Sequence, residues 1–216
     1  DISELFFLKK AMKTLIIFIT LFFPEPIFSL ISPMLPGICQ NSGRCRAKKH
    51  NQYNYNNYYY NDQFTGYYSG AKIYDSHGST FTSLIDDYAK DQYTAYFCGV
   101  KIHDSHSSSF LALGCDYAKD QYVGYYCGLK ILGSHGSTFE SLGSDYAKDQ
   151  YKAYFCGVKI HNSHSSTFLA LGSDYAKDLH VGYYCGLKIL GSHGSTFVGL
   201  GDSYAKDQYI AYYCGE

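Results

Sequence analysis

From about residue 62 onward, apolar and polar positions alternate in short bursts that recur every 29 residues. The segment from Asp149 to Ile160 carries the pattern: Asp-Gln-Tyr-Lys-Ala-Tyr-Phe-Cys-Gly-Val-Lys-Ile. Its period of two on either side of Cys156-Gly157 predicts a β-hairpin with a two-residue turn. That turn sets Phe155 opposite Val158, Tyr154 opposite Lys159 and Ala153 opposite Ile160. Phe155, Val158, Ala153 and Ile160 then share one apolar face, and Tyr154, Lys159 and Lys152 share the other. Other copies agree with this sorting. The position of Lys152 holds Thr65, Thr94, Val123, Val181 or Ile210, as a partly exposed site does. The position of Ala153 holds only Gly66, Ala95, Gly124, Gly182 or Ala211. Restriction to the smallest side chains marks a close approach by another strand or ring.

The second half of the unit runs from Ser163-His164 through Phe168, Leu171 and Tyr175 to Asp178. Ser-His recurs at Ser76-His77, Ser105-His106, Ser134-His135 and Ser192-His193. Small polar residues before an apolar one predict a turn, or one helical turn capped by the Ser. A strand then returns toward the Lys-Asp turn, so each unit holds about three short strands in a meander. Tyr-Ala-Lys-Asp at Tyr88, Tyr117, Tyr146, Tyr175 and Tyr204 fixes the period. Copies of this size bury their apolar faces against their neighbours. The expected fold is all-β: tandem 29-residue hairpin or meander repeats in an extended or superhelical array, with a closed propeller-like ring as the alternative. A weaker 58-residue period overlies the first, because Ala units at Ala95, Ala153 and Ala211 alternate with Gly units at Gly124 and Gly182.

The ends read differently. Residues 1–11 precede Met12 and read as upstream read-through. Lys9, Lys10 and Lys13 flank an apolar run from Leu15 to Phe23, so 12–31 reads as a signal peptide. The run is too short to span a bilayer, which takes about 20 residues, although a membrane-tethering segment is the alternative. Residues 32–61 form a low-complexity linker, Asn/Tyr-rich from His50 to Asn61 where a degenerate first unit is the alternative, and 62–216 the repeat array, whose last unit is truncated at Cys214-Gly215-Glu216.

Composition narrows the chemistry. With 18 basic and 19 acidic residues the formal net charge is −1, so no nucleic-acid partner is expected. Tyr is abundant, at 25 residues, and Trp is absent. Cys98, Cys127, Cys156, Cys185 and Cys214 share one repeat position, Cys115 is an extra, and Cys39 and Cys45 enclose a short loop. With three strands per unit, equivalent Cys lie about 14 Å apart, beyond disulfide reach; a coil with one strand per unit on each face would bring them to about 4.8 Å, and the first geometry is the one expected. One Cys per unit also lacks the close spacing of a zinc site. His103 with His106 and His161 with His164 read as polar turn residues, and an adjacent Ser-His pair lacks the geometry of a nucleophile and its base. No catalytic residue, metal site or cofactor is expected.

Tyr67, Tyr96, Tyr125, Tyr154, Tyr183 and Tyr212 run beside Lys72, Lys101, Lys130, Lys159 and Lys188 as cross-strand neighbours on the outer face. They form a candidate binding ladder suited to cell-wall polymer, glycan or a protein partner; shielding of the sheet is the plainer reading.

The run Tyr-Ala-Lys-Asp, a turn, Ala/Gly-Tyr-aromatic-x-Gly-x-Lys-Ile, a polar turn and Thr-Phe-x-x-Leu resembles the DKNYY family of tandem repeats over about 62–216. The resemblance implies a bacterial-type secreted or surface-associated protein and supplies no catalytic residue to carry over. Cys-Gly stands where the family has Asn-Gly. Because Cys accepts a positive φ reluctantly, a tip with only the Gly left-handed, or a longer bulged loop, is expected. The sequence thus reads as a non-enzymatic secreted or cell-surface repeat protein that serves as scaffold or recognition surface and meets a membrane only through its export signal. A glycan- or cell-wall-binding module is the first alternative, and a metal- or redox-linked Cys/His protein the second.

Overall fold

The computed structural model describes residues 58–216; the read-through, the signal peptide and most of the linker lie outside them. The described chain is all-β. It forms six small antiparallel sheets in chain order, four strands each except for three-stranded sheets at either end. The first strand, Tyr59–Asn61, already belongs to a sheet, ahead of residue 62.

One unit represents the rest. Its strands are Glu140–Gly143, Tyr146–Lys148, Ala153–Phe155 and Val158–Ile160, and each pairs with the next. This is one strand more than the sequence predicts. The extra hairpin turns at Ser144-Asp145, both with positive φ, after a register shift between Ser141 and Gly143. The second hairpin has the predicted register: Ala153 faces Ile160, Tyr154 faces Lys159 and Phe155 faces Val158. Its tip differs from expectation. Cys156 and Gly157 are both left-handed, at φ 46° and 75°, and the same pair recurs at Cys98, Cys127, Cys185 and Cys214. A two-residue link with both residues at positive φ matches the right-handed twist of the paired strands, and the pairing enforces that geometry on Cys.

The polar turn after the last strand of each of the first four sheets is a short 3-10 turn, at Gly78–Thr80, Ser107–Ser109, Gly136–Thr138 and Ser165–Thr167. Ser does not cap it. The Ser134 hydroxyl instead accepts the Gly124 N–H and donates to the Ile131 carbonyl, which ties the turn to the third strand.

Packing joins one sheet to the next. Tyr146, Ala153, Phe155 and Ile160 of one unit form a single apolar cluster with Phe168, Ala176 and Tyr183 of the following one. Rings run through each junction: Tyr146 meets Phe168 at 5.8 Å between centroids, and Phe168 meets Tyr183 at 5.2 Å. The first strands of successive sheets also lie side by side, with the Ser141 hydroxyl donating to the Gly114 carbonyl. Each fully buried aromatic contributes roughly 1.5–3 kcal/mol. No sheet closes on itself among the described residues.

The 58-residue alternation reflects two ways of seating the 3-10 turn. In Gly units a Cβ on Gly124 would come within 2.6 Å of the Phe139 ring, while Gly136 rests on the Asp120–Val123 backbone and donates to the Tyr122 carbonyl. In Ala units Ser107 or Ser165 replaces that second Gly, and its hydroxyl donates to the Asp91 or Asp149 carbonyl.

Candidate functional site

Each residue of Tyr-Ala-Lys-Asp has an assignable structural role. The Tyr117 hydroxyl donates to the Asp145 carbonyl at 2.8 Å and accepts the Gly157 N–H at 3.0 Å, both in the next unit. Tyr59, Tyr88, Tyr146 and Tyr175 make the same two bonds to their successors. Burial pushes the Tyr88, Tyr117 and Tyr146 phenols well above their ordinary range. The Ala, buried as Ala118 or Ala147, lies opposite the third-strand Tyr. Lys90, Lys119 and Lys148 donate to the Phe110, Phe139 and Phe168 carbonyls of the following unit.

The Asp is a turn anchor. Asp120 Oδ1 accepts the Tyr122 and Val123 N–H groups, and Oδ2 accepts the His106 N–H and the Tyr125 hydroxyl. Burial raises its carboxyl, but these four bonds to the charged form outweigh burial and hold the pKa below the ordinary value, as for Asp91 and Asp178.

The ladder Tyr are therefore partners of this Asp. Tyr96, Tyr125, Tyr154, Tyr183 and Tyr212 are at most 5 % exposed, and Tyr67 is half-buried. Their hydroxyls donate to Asp91, Asp120, Asp149, Asp178, Asp207 and, from Tyr67, to Asp62. The cross-strand pairing with Lys72, Lys101, Lys130, Lys159 and Lys188 holds. The outward facing of the Tyr rings does not, because stacking buries both faces of each central strand. The Lys stay at the surface or half-buried; Lys130 approaches Asp104 at 3.8 Å, and Lys188 donates to the Asn162 carbonyl.

The hairpin-tip cysteines are thiols rather than disulfides. The tip docks on an aromatic ring of the preceding unit so closely that a Cβ on Gly157 would lie 2.8 Å from the Tyr126 Cβ. Burial, with Cys156 close by, pushes the Tyr126 phenol well above its ordinary range.

A different aromatic row faces solvent. Tyr93, Tyr122, Tyr151 and Tyr209, at the turn after the anchoring Asp, are 64–71 % exposed. Each meets the His of the preceding Ser-His edge-on: His77 with Tyr93 at 5.6 Å, His106 with Tyr122 at 5.5 Å and His135 with Tyr151 at 5.8 Å. In the fifth unit His180 replaces the Tyr against His164. The His rings are fixed from the other side, with Nδ1 of His77, His106 and His135 hydrogen-bonded to Thr80, Ser109 and Thr138. The row went unnoticed in the sequence, although the recurring Asp-Gln-Tyr signals it. Among the described residues no three His, Cys, Asp or Glu side chains are grouped to hold a metal.

Stacked four-strand meanders joined by a buried Tyr–backbone clasp define the class: a β-repeat protein built by nearest-neighbour contacts. The chain belongs to the DKNYY family, whose model matches residues 58–187. No curated protein and no solved structure matches it.

Proposed function

We propose that this chain is a non-enzymatic, exported scaffold whose stacked units present a recognition surface outside the cell. The observation that carries the reading is the use of the recurring polar residues. The clasp Tyr, the Lys, the anchoring Asp and the Ser all bond within or between units, and no buried side-chain polar atom lacks a partner among the described residues. Residues that recur for catalysis would keep polar groups turned into a concave site. Here recurrence builds the stack, and the outward loops are left for display. Export rests on the Lys-flanked apolar run within 12–31. The test is expression of the full chain with a C-terminal tag in a bacterial host, followed by fractionation and external protease. Recovery outside the cytoplasm, shortened at the N-terminus and open to protease, is expected. Retention in the cytoplasm at full mass would overturn the reading.

A further inference from the structure

The geometry points to the His–Tyr row as a binding surface for a neutral polysaccharide, laid along the array with one contact per unit. This deepens the recognition role proposed above and rests on it. Three features of the row choose the partner.

The first is its chemistry. Each station offers a Tyr ring, an imidazole and the exposed amide of Gln92, Gln121, Gln150 or Gln208, and the cation beside Tyr151, Lys152, turns its ammonium away to the Gly133 carbonyl. The nearest carboxylate is the anchoring Asp, whose oxygens are already filled by four donors. An anionic polymer would call for Lys or Arg here, and an apolar partner for aliphatic side chains. Rings with amide and imidazole groups suit the C–H faces and hydroxyls of uncharged sugars.

The second is readiness. The His backbone is fixed by the Asp and its ring by a Thr or Ser hydroxyl, so the stations are preorganised. The hydroxyls of Tyr93, Tyr122 and Tyr151 and the amides of their Gln neighbours make no hydrogen bond among the described residues. They are open to a ligand.

The third is periodicity. Stations recur once per unit at the same place, which matches a polymer better than a discrete molecule. Three run consecutively at Tyr93, Tyr122 and Tyr151, and Leu179-His180 interrupts before Tyr209. Linked weak contacts multiply, so losing consecutive stations weakens binding far more than losing the isolated one.

Affinity electrophoresis of the full chain tests this in gels containing dextran, laminarin, galactomannan or hydroxyethyl cellulose, with polygalacturonate and heparin as charged probes. Retardation by at least one neutral polymer is expected. The triple change Tyr93→Ala, Tyr122→Ala and Tyr151→Ala should weaken it by about tenfold or more, and Tyr209→Ala much less. Circular dichroism checks that the triple variant folds. If it does not, Gln92→Ala, Gln121→Ala and Gln150→Ala together replace it and should also weaken retardation. Migration unchanged in every neutral gel, retardation by the charged polymers alone, or equal retardation of the variants would each overturn the proposal. A chain that fractionates outside the cytoplasm yet passes freely through the neutral gels would sink this inference and leave the surface-scaffold reading standing.

Discussion

At the scale of single residues, two titratable groups set opposite limits on stability. Asp91, Asp120 and Asp178 have folded pKa values held below the ordinary 3.8 by four hydrogen bonds each, against the opposing effect of burial. Their contribution is complete above the unfolded value and is lost as pH falls through the lowered folded value. Tyr88, Tyr117 and Tyr146 are raised well above 10.0, so their contribution is complete below 10.0 and is lost as pH rises toward the folded values. Chemical denaturation across pH should therefore give a plateau with an acid limb beginning below about 4 and an alkaline limb beginning above about 10. Asp120→Asn should flatten part of the acid limb and leave the alkaline one. The same residues show what the sequence conceals. Alternation placed Tyr154 opposite Lys159 correctly, because register follows from the turn and a period of two. It turned the ring outward because alternation assigns one face to a core and the other to water. Here both faces of the central strand are covered, the Tyr154 side by Tyr117, Ile131 and Phe139 and the Ala153 and Phe155 side by Phe168, Ala176 and Tyr183 of the following unit. That cover comes from packing between copies, which a single unit does not encode.

At the scale of the element, the hairpin tip decides between local preference and docking. Cys at φ 46° is locally unfavourable, and the sequence argued for a looser turn on that ground. The tip stays tight because strand pairing, the tyrosine clasp and ring contact all demand it. Cys127→Asn relieves the backbone while keeping the turn, and thermal melting should show stabilisation of up to about 1 kcal/mol. Gly157→Ala does the reverse. It adds a Cβ at φ 75° and 2.8 Å from Tyr126, so destabilisation of about 1–3 kcal/mol is expected in the same experiment. The extra hairpin at Ser144-Asp145 had a legible sign in the recurring Gly-x-Asp-Tyr, but that sign competes with reading Phe-to-Tyr as one strand.

At the scale of the whole molecule, the stack is joined only through neighbours, so the place of a defect matters more than its chemistry. Tyr117→Phe cuts both bonds of a central junction and keeps the ring, leaving the Gly157 N–H without its acceptor and the Asp145 carbonyl with the Cys156 N–H alone, at a cost of about 1–3 kcal/mol. Denaturant unfolding should broaden or divide into two transitions. Tyr175→Phe, which cuts the junction to the last sheet, should fray that sheet and leave the main transition nearly unchanged.

The central claim is that each buried Tyr hydroxyl clasps the hairpin tip of the next unit. Hydrogen exchange at the tip amides tests it most directly, because the second residue of a two-residue turn otherwise exposes its N–H to water. The Gly128, Gly157 and Gly186 amides should exchange as slowly as central-strand amides, and Tyr117→Phe should release Gly157 alone. Fast exchange at all three tips in the unaltered chain would contradict the clasp.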